Sequence, residues 1–297
     1  MCQPLIVDIK RNALDDGPGI RSVVFFKGCP LACVWCQNPE AISPLPEIMF
    51  SPGDCLACGA CQEVCPKGAV DLQRHPSPID RERCQACGAC VENCPGQGLR
   101  PIGKYYPVEE LVQAVLRDAS FYRNSGGGVT LSGGEATLHP EYLKSLLTAL
   151  KAQGIHVTLE TCGYYHQPVF DQKILPYLDL IYFDIKFLDP ELHRRHTGKD
   201  NQIILNNFRA LVEAARVSVL PRVPLIPGLT ATPENLGAIA AFLRETGVGE
   251  VALLPYNPMW VTKADNLGRN TPYRQREWMA PEEIRQCSLY FAGLELC

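Results

Sequence analysis

Short runs of consecutive apolar residues recur along the chain and alternate with stretches in which apolar residues fall at helical spacing. The runs predict six strands, at residues 23–26, 129–131, 157–159, 180–183, 217–223 and 251–254. Most of these runs are apolar at every position, as a strand that is buried on both faces requires. Helical spacing predicts helices near residues 107–116, 139–153, 167–176, 202–215 and 232–246.

The order of these elements predicts an α/β fold, because strands that alternate with helices usually pair in parallel. Six strands, each followed by a helix, indicate a partial parallel (β/α)6 barrel that is interrupted after its first strand by a cysteine-rich insert. The chain then divides into residues 1–50, with the first strand and a cysteine loop, an insert at 51–102, and the rest of the barrel at 103–297. In such barrels the carboxyl-terminal strand ends carry the chemistry.

Composition and charge limit the kinds of partner and the cellular location that we expect for this chain. It has 297 residues, of which 46% are hydrophobic and 20% charged, and its formal net charge is -4. The lack of a long basic run argues against nucleic acid or an anionic membrane as the main partner. We expect a cytoplasmic protein, since no apolar stretch reaches transmembrane length and the N-terminus lacks the features of a signal peptide. Fifteen cysteines in such a chain indicate metal ligands rather than disulfides.

Three cysteines directly follow the first predicted strand. Cys29, Cys33 and Cys36 have the spacing C-x3-C-x2-C. Three thiolates are one ligand short of closing a zinc site or an iron-sulfur cube. A structural zinc site would recruit a fourth protein ligand, whereas a 4Fe-4S cluster would keep one iron free for the amino and carboxylate groups of a substrate. Zinc and a chance group of core thiols remain alternatives for this triplet alone.

The insert contains the same cysteine pattern twice, with an offset of 29 residues. Each copy reads C-x2-C-x2-C-x3-C-P, the bacterial ferredoxin pattern, in which three cysteines of one copy and the last of the other bind each cluster. The expected ligand sets are Cys55, Cys58, Cys61 and Cys94 for one 4Fe-4S cluster, and Cys84, Cys87, Cys90 and Cys65 for the other. Zinc is a weak alternative for so specific a pattern. The unpatterned cysteines are expected not to be ligands: Cys2, Cys162, Cys287 and Cys297.

Polar motifs follow the other predicted strands, at the ends where a parallel barrel has its site. They are Ser132-Gly133-Gly134-Glu135, Glu160-Thr161-Cys162-Gly163, Asp184-Ile185-Lys186, Arg222 and Pro255-Tyr256-Asn257. Glycines let backbone approach a ligand closely, and Glu135 suits a positively charged amino group. Arg222 would be costly to bury without an anionic partner, such as a substrate carboxylate. Taken alone, these motifs also fit a glycine-rich turn and a surface ion pair.

Three further segments carry a family resemblance. Asp16-Gly17-Pro18-Gly19-Ile20-Arg21 precedes the triplet, Cys33-Val-Trp-Cys-Gln-Asn-Pro-Glu includes it, and Ser125-Gly-Gly-Gly-Val-Thr-Leu-Ser-Gly-Gly-Glu ends the second strand. Together they resemble the radical S-adenosylmethionine (SAM) superfamily over nearly the whole chain, and within it the glycyl-radical-enzyme activases. The paired ferredoxin repeat resembles the larger members of that group. This resemblance implies cleavage of SAM to methionine and a 5'-deoxyadenosyl radical, which takes a hydrogen atom from a backbone glycine of a partner enzyme.

The resemblance also implies which residues meet the cofactors. Cys29, Cys33 and Cys36 would hold a 4Fe-4S cluster whose open iron chelates SAM. Contacts with SAM are implied for Trp35, Gln37, Gly133, Gly134, Glu135, Asp184, Ile185, Lys186, Arg222 and Asn257. Within this set, Glu135 and the glycines would hold the amino group. A monovalent cation is implied near Glu160, Thr161 and Asp184. Relatives commonly have histidine in place of Asn257. Asparagine can form hydrogen bonds with ribose hydroxyls, but it cannot gain or lose a proton.

The implied partners are a glycyl radical enzyme and an electron donor, either reduced flavodoxin or reduced ferredoxin, with the activase itself a monomer. Two other functions stay open. A radical enzyme acting on a small molecule would have a deep closed pocket instead of an open groove, and a pure electron-transfer protein would not require the barrel. His193 and His196 are predicted to be structural residues at a helix end and turn.

Overall fold

Strands and helices alternate along most of the chain in the computed structural model, which describes residues 3–297. Cys2 therefore lies outside the described residues. The strands are β1 Leu5–Ala13, β2 Arg21–Phe26, β3 Glu47–Phe50, β4 Leu99–Ile102, β5 Lys104–Tyr105, β6 Gly128–Gly133, β7 His156–Thr161, β8 Leu180–Asp184, β9 Ser218–Leu225, β10 Glu250–Pro255 and β11 Glu295–Leu296. The helices are α1 Ala60–Glu63, α2 Ala89–Glu92, α3 Val108–Leu116, α4 Ala119–Ser125, α5 Pro140–Ala152, α6 Gln167–Lys173, α7 Pro190–Thr197, α8 Gln202–Ala214, α9 Pro233–Glu245, α10 Trp260–Asn266 and α11 Pro281–Ser288.

The main sheet has nine strands in the order β11-β10-β9-β8-β7-β6-β2-β1-β5. All six predicted strands are present, adjacent to one another and parallel. Their inner residues are fully buried, as with Val24, Leu131 and Phe183, because helices cover the sheet. The predicted α/β fold with a largely parallel sheet is confirmed.

Among the elements that were not predicted from the apolar pattern are β1 and α7. β1 alternates apolar and polar residues, pairs antiparallel with β2, and lies at the less buried side of the sheet. α7 is mostly polar, but its start is defined by the Asp189 carboxylate, which accepts hydrogen bonds from the backbone N–H groups of Glu191 and Leu192, both at 2.8 Å. The predicted helices agree with α3, α5, α6, α8 and α9.

The cysteine-rich insert is joined to the main sheet by a two-stranded antiparallel ribbon of β3 and β4. Its register runs from Glu47 opposite Ile102 to Phe50 opposite Leu99. One face of the ribbon contributes Ile48 to a small core that also contains several of the cysteines. On the other face, Met49 and Ile102 pack against Leu267 of the main domain. No helix within residues 3–297 combines the length and apolar content needed to cross a lipid bilayer.

Candidate functional site

Five polar side chains meet where the parallel strands β6 to β9 end. The Arg222 guanidinium donates to Glu160 Oε1 at 2.7 Å and to Asp184 Oδ1 at 3.1 Å. The Ser132 hydroxyl donates to the other oxygen of Glu160, and Lys186 Nζ lies 3.1 Å from Asp184 Oδ2. The fold therefore brings together candidate residues that are up to 90 positions apart in the sequence, from Ser132 to Arg222, because parallel strands end at one edge of the sheet.

The charges in this group balance one another. Burial works to raise the pKa of Asp184, but the positive charges of Lys186 and Arg222 outweigh it and leave that pKa below its usual value. Burial disfavours the charged form of Arg222, but Glu160 and Asp184 outweigh this and raise its pKa. Asp184 and Arg222 are therefore both ionised at neutral pH, and the group as a whole contains two carboxylates and two basic side chains. The anionic partners that the sequence predicts for Arg222 are supplied by this chain.

The same geometry bears on the monovalent cation expected near Glu160, Thr161 and Asp184. The positive charge between the two carboxylates is the Arg222 guanidinium. The Thr161 hydroxyl donates instead to Glu135 Oε1 at 2.9 Å. In this arrangement the side chains of the three residues do not point toward a common position.

Glu135 is completely buried and its carboxylate is held by protein donors. Oε1 accepts from the hydroxyls of Thr137 at 2.7 Å and Thr161 at 2.9 Å, and Oε2 accepts from the Cys162 backbone N–H at 2.7 Å. Because the carboxylate is fully buried, its expected contact with the amino group of SAM would require the surrounding residues to move. As found, the side chain ties the end of β6 to the end of β7.

The glycines before Glu135 allow the turn to lie against the end of β2. Gly133 has a φ of +102°, and a Cβ atom on Gly134 would lie 2.1 Å from the carbonyl oxygen of Gly28. The backbone N–H of Gly134 donates to Phe26 O at 2.8 Å, and that of Glu135 to Gly28 O at 2.7 Å. The turn is therefore fixed next to the first cysteine of the triplet.

The loop of the cysteine triplet is anchored mainly through its backbone. The N–H groups of Ala32 and Val34 donate to Thr197 O at 2.7 Å and to His196 O at 3.0 Å, at the end of α7. Burial raises the pKa of the Cys33 thiol to about 12. Such a thiol stays protonated at neutral pH and loses its proton when a metal binds, so it suits a cluster ligand better than a free nucleophile.

Trp35, Ile185 and Gln37, three of the predicted SAM contacts, lie against protein groups in this structure. Trp35 is only 3% exposed and packs edge-on against Phe187, with 5.9 Å between ring centroids. Ile185 is a fully buried core residue, and its N–H donates to Arg222 O at 2.9 Å, so neither its side chain nor its N–H is free for SAM. Gln37 donates from its side chain to Asn257 O at 3.0 Å. These three side chains thus contact protein groups.

Lys263 on α10 was missed by the sequence analysis. Its ammonium group contacts Gln37 O at 3.1 Å and Glu40 Oε1 at 2.8 Å, which fixes the segment after β10 to the cysteine loop. The Asn257 side-chain oxygen accepts from the Met259 N–H at 2.9 Å and caps the turn before that helix. A lone lysine on a helix gives no sequence signal for such a contact.

The eight cysteines of the insert line two cavities, four to each. One cavity is lined by Cys55, Cys58, Cys61 and Cys94. The other is lined by Cys65, Cys84, Cys87 and Cys90. The structure thus brings together the same two sets that the crossed ferredoxin pattern predicts.

Comparison with known proteins places this geometry in a family. The model of the Radical SAM superfamily matches residues 23–242. Trans-4-hydroxy-L-proline dehydratase activating enzyme of Clostridioides difficile is 38% identical over 94% of this chain and 92% of its own length. Benzylsuccinate synthase activating enzyme of Thauera aromatica is 38% identical over 91% of this chain and 84% of its own length. The chain belongs to the radical SAM superfamily, among the glycyl-radical-enzyme activating enzymes.

A solved structure shows that the fold extends over the whole activating enzyme. A radical SAM methyltransferase from Sphaerobacter thermophilus matches 100% of this chain and 77% of its own, with a TM-score of 0.54 and 16% identity. The family assignment confirms that the protein is an enzyme that generates a radical from SAM. Radical SAM enzymes bind a 4Fe-4S cluster and SAM. The three thiols on the anchored loop after β2 fit such a cluster in number and in chemistry.

His193 supports the cysteine loop of the activating enzyme from α7. It is 1% exposed, and its Nδ1–H donates to Lys199 O at 2.6 Å. The Thr197 hydroxyl lies 3.0 Å from the same ring nitrogen, and the Thr197 carbonyl holds the loop. His193 and His196 thus have the structural surroundings that were predicted for them.

The stability of the activating enzyme is expected to fall between neutral pH and about pH 5.5 because of His193. Burial lowers the pKa of His193 to about 4, whereas histidine in the unfolded chain titrates near 6.5. The unfolded state therefore binds more protons in this interval, and the free energy of unfolding should be lower at the acid end by about 1 kcal/mol. Anaerobic urea unfolding at both pH values measures this difference. His139, His156 and His196 contribute in the same direction, so His193→Gln should reduce the pH dependence by about 1 kcal/mol without abolishing it. An equal pH dependence in that variant would contradict the assignment.

Proposed function

We propose that this activating enzyme installs a glycyl radical in a separate glycyl radical enzyme, acting as a cytoplasmic monomer. The observation that supports this most strongly is the position of the neutralised charge group beside the cysteine loop. Ser132, Glu160, Asp184 and Arg222 lie at the strand ends, and the turn at Gly133 is bonded to the end of β2. We infer that the sheet is the incomplete six-stranded barrel of the family, open enough to receive a peptide loop.

Cys29, Cys33 and Cys36 would hold the catalytic 4Fe-4S cluster, which supplies the electron that cleaves SAM to methionine and a 5'-deoxyadenosyl radical. That radical gains a hydrogen atom from the substrate glycine and leaves as 5'-deoxyadenosine. Each activation then consumes one electron and one SAM.

The remaining residues of the site bind and orient SAM. Asp184 has a side chain that is 25% exposed, so it can accept hydrogen bonds from ribose hydroxyls while it pairs with Lys186. Lys186 offers a positive charge to the SAM carboxylate. Because the Glu135 carboxylate is fully buried and accepts hydrogen bonds from the protein, we assign the SAM amino group to the backbone carbonyls of the turn at Gly133 and Gly134.

The two cysteine sets of the insert would hold two further 4Fe-4S clusters. Their agreement with the four-cysteine linings of the two cavities supports this assignment. Reduced flavodoxin or ferredoxin is the proposed source of the electron, and the insert is the proposed conduit. Since eleven clustered cysteines must stay reduced to bind iron, a cytoplasmic location fits this chemistry.

Anaerobic reconstitution tests the function. Protein loaded with iron and sulfide, then mixed with SAM and dithionite, should form methionine and 5'-deoxyadenosine in equal amounts. A glycyl radical enzyme encoded beside this chain should then show a glycyl radical signal in electron paramagnetic resonance (EPR) spectra. Fully loaded protein that forms neither product would contradict the proposal. Products formed with no radical on any glycyl radical enzyme, but with a small molecule consumed, would favour the alternative of a small-molecule substrate.

A further inference from the structure

The two cysteine sets of the insert lie at different depths relative to the main sheet. We call Cys65, Cys84, Cys87 and Cys90 the inner set, and Cys55, Cys58, Cys61 and Cys94 the outer set. The ribbon of β3 and β4 runs from the main domain into the insert, so positions along it show how far each cysteine set lies from the main domain. Glu47, at one end of the ribbon, contacts the main domain, and Phe50 lies three residues further along an extended strand, about 10 Å away.

Residues of the ribbon line the two cavities in that order. Ile48, next to Glu47, lines the cavity of the inner set. Phe50 and its partner Leu99, at the far end, line the cavity of the outer set. The inner set therefore lies toward the main domain. Leu56 also lines the outer cavity and is 68% exposed, so this side of the insert presents an apolar side chain to solvent.

The second cysteine repeat also contacts the main domain directly. The Arg81 guanidinium donates twice to Leu267 O, from Nε at 3.1 Å and from Nη2 at 2.8 Å. Arg81 is three residues before Cys84 in the sequence, so this contact ties the start of the second repeat to the main domain.

A buried lysine continues this junction to the catalytic triplet. The Lys27 side chain is fully buried, and its ammonium group contacts Glu47 Oε2 at 2.7 Å and Glu40 O at 2.8 Å. Arg269 completes the group by donating to both oxygens of Glu47 at 3.1 Å. Lys27 is two residues before Cys29. Charged contacts of Arg269, Glu47 and Lys27 therefore join the ribbon of the insert to the triplet loop.

We propose that the insert conducts electrons in series, from the outer set to the inner set and then to the cluster of the triplet. The proposal rests on the proposed function and specifies the order within it. A reduced flavodoxin or ferredoxin gives up one electron and is thereby oxidised. The electron reaches the triplet cluster, and no covalent bond is formed or broken and no proton is transferred on the way. Arg81, Glu47 and Lys27 are positioning residues, because they fix the insert against the triplet loop.

A matched pair of variants tests the order. Cys58 and Cys87 are the second cysteines of their repeats, and both are exposed. Cys58→Ala removes a ligand from the outer set, and Cys87→Ala removes one from the inner set. Each reconstituted protein is mixed with reduced flavodoxin and frozen at short times, and EPR spectra show which clusters have been reduced.

The two variants should differ in which clusters are still rapidly reduced. In Cys87→Ala the outer cluster should still be reduced rapidly while rapid reduction of the triplet cluster is lost. In Cys58→Ala rapid reduction should be lost for both the inner and the triplet cluster. Rapid reduction of the inner cluster in Cys58→Ala would overturn the order. Dithionite should support 5'-deoxyadenosine formation in both variants, and its failure in wild-type protein would instead count against the proposed function.

Arg81→Leu keeps every cysteine. It therefore still tests the proposal if a cysteine variant loses more than one cluster. With reduced flavodoxin, both insert clusters should be reduced as fast as in wild-type protein, whereas reduction of the triplet cluster should be slowed. Arg81→Lys retains the charge and should restore part of the rate. Equal rates of triplet reduction in Arg81→Leu and wild-type protein would overturn the role of the junction.

Discussion

Arg222→Met is expected to abolish SAM cleavage and to lower the free energy of unfolding by about 3 to 5 kcal/mol. The guanidinium binds Glu160 and Asp184 together, with side chains that are 13%, 13% and 25% exposed. Methionine has a similar volume but leaves Glu160 without a counter-charge in a largely buried place. The pKa of Asp184 should rise as well, since Lys186 alone would remain beside it. Anaerobic urea unfolding and methionine release measure the two effects.

Two control variants identify the cause of the Arg222→Met effect. Arg222→Lys keeps the charge but cannot bridge two carboxylates with a planar fork, so an intermediate stability is expected. The double variant Arg222→Met with Glu160→Gln removes one unpaired carboxylate and should recover part of the lost stability. If the double variant is no more stable than Arg222→Met, the ion pair is not the source of the effect.

Glu135→Gln is expected to lower the free energy of unfolding by about 2 to 3 kcal/mol and to weaken SAM binding as a consequence. The amide cannot accept hydrogen bonds with both terminal atoms, so it would leave either the Cys162 N–H or the threonine hydroxyls without an acceptor. Urea unfolding and equilibrium binding of SAM measure the two effects.

The binding data separate an internal role for Glu135 from direct contact with SAM. Direct contact alone would weaken SAM binding and leave the unfolding curve unchanged. Glu141→Gln provides the control, because Glu141 is an exposed residue of α5, and surface substitutions usually change stability by about 0.5 kcal/mol or less. A loss of stability in Glu135→Gln no larger than in this control would contradict the internal role.

Local patterns were enough to predict the centre of the fold. The six parallel strands were found because most of them are apolar runs buried on both faces, as Val129 to Leu131 illustrates. β1 was missed because residues such as Asp8 and Lys10 break its apolar run, at the exposed side of an antiparallel pair. The sequence also contained two signals for the start of α7, namely Asp189 as a cap and proline at the first position. The helix was not predicted because it has no apolar stripe.

Prediction of the site succeeded for residue identity more than for residue role. The motif positions Asp184 and Arg222 do lie together, because topology alone brings parallel strand ends to one edge. Their mutual pairing could not be predicted, since it depends on which side chains reach each other once the strands are aligned. Likewise, the donors that surround Glu135 include Cys162, which is 27 positions later in the chain. Whether a motif carboxylate faces a ligand or the protein is decided by such distant partners.

The ribbon that carries the insert also has an evolutionary consequence. Glu47 and Ile102 are direct antiparallel neighbours, so the backbone leaves and rejoins the main domain at points about 5 Å apart. A short hairpin could close that gap without disturbing the connectivity of any strand on the catalytic side. A segment attached in this way could be gained or lost in one step, and Glu47 would stay in place to pair with Lys27.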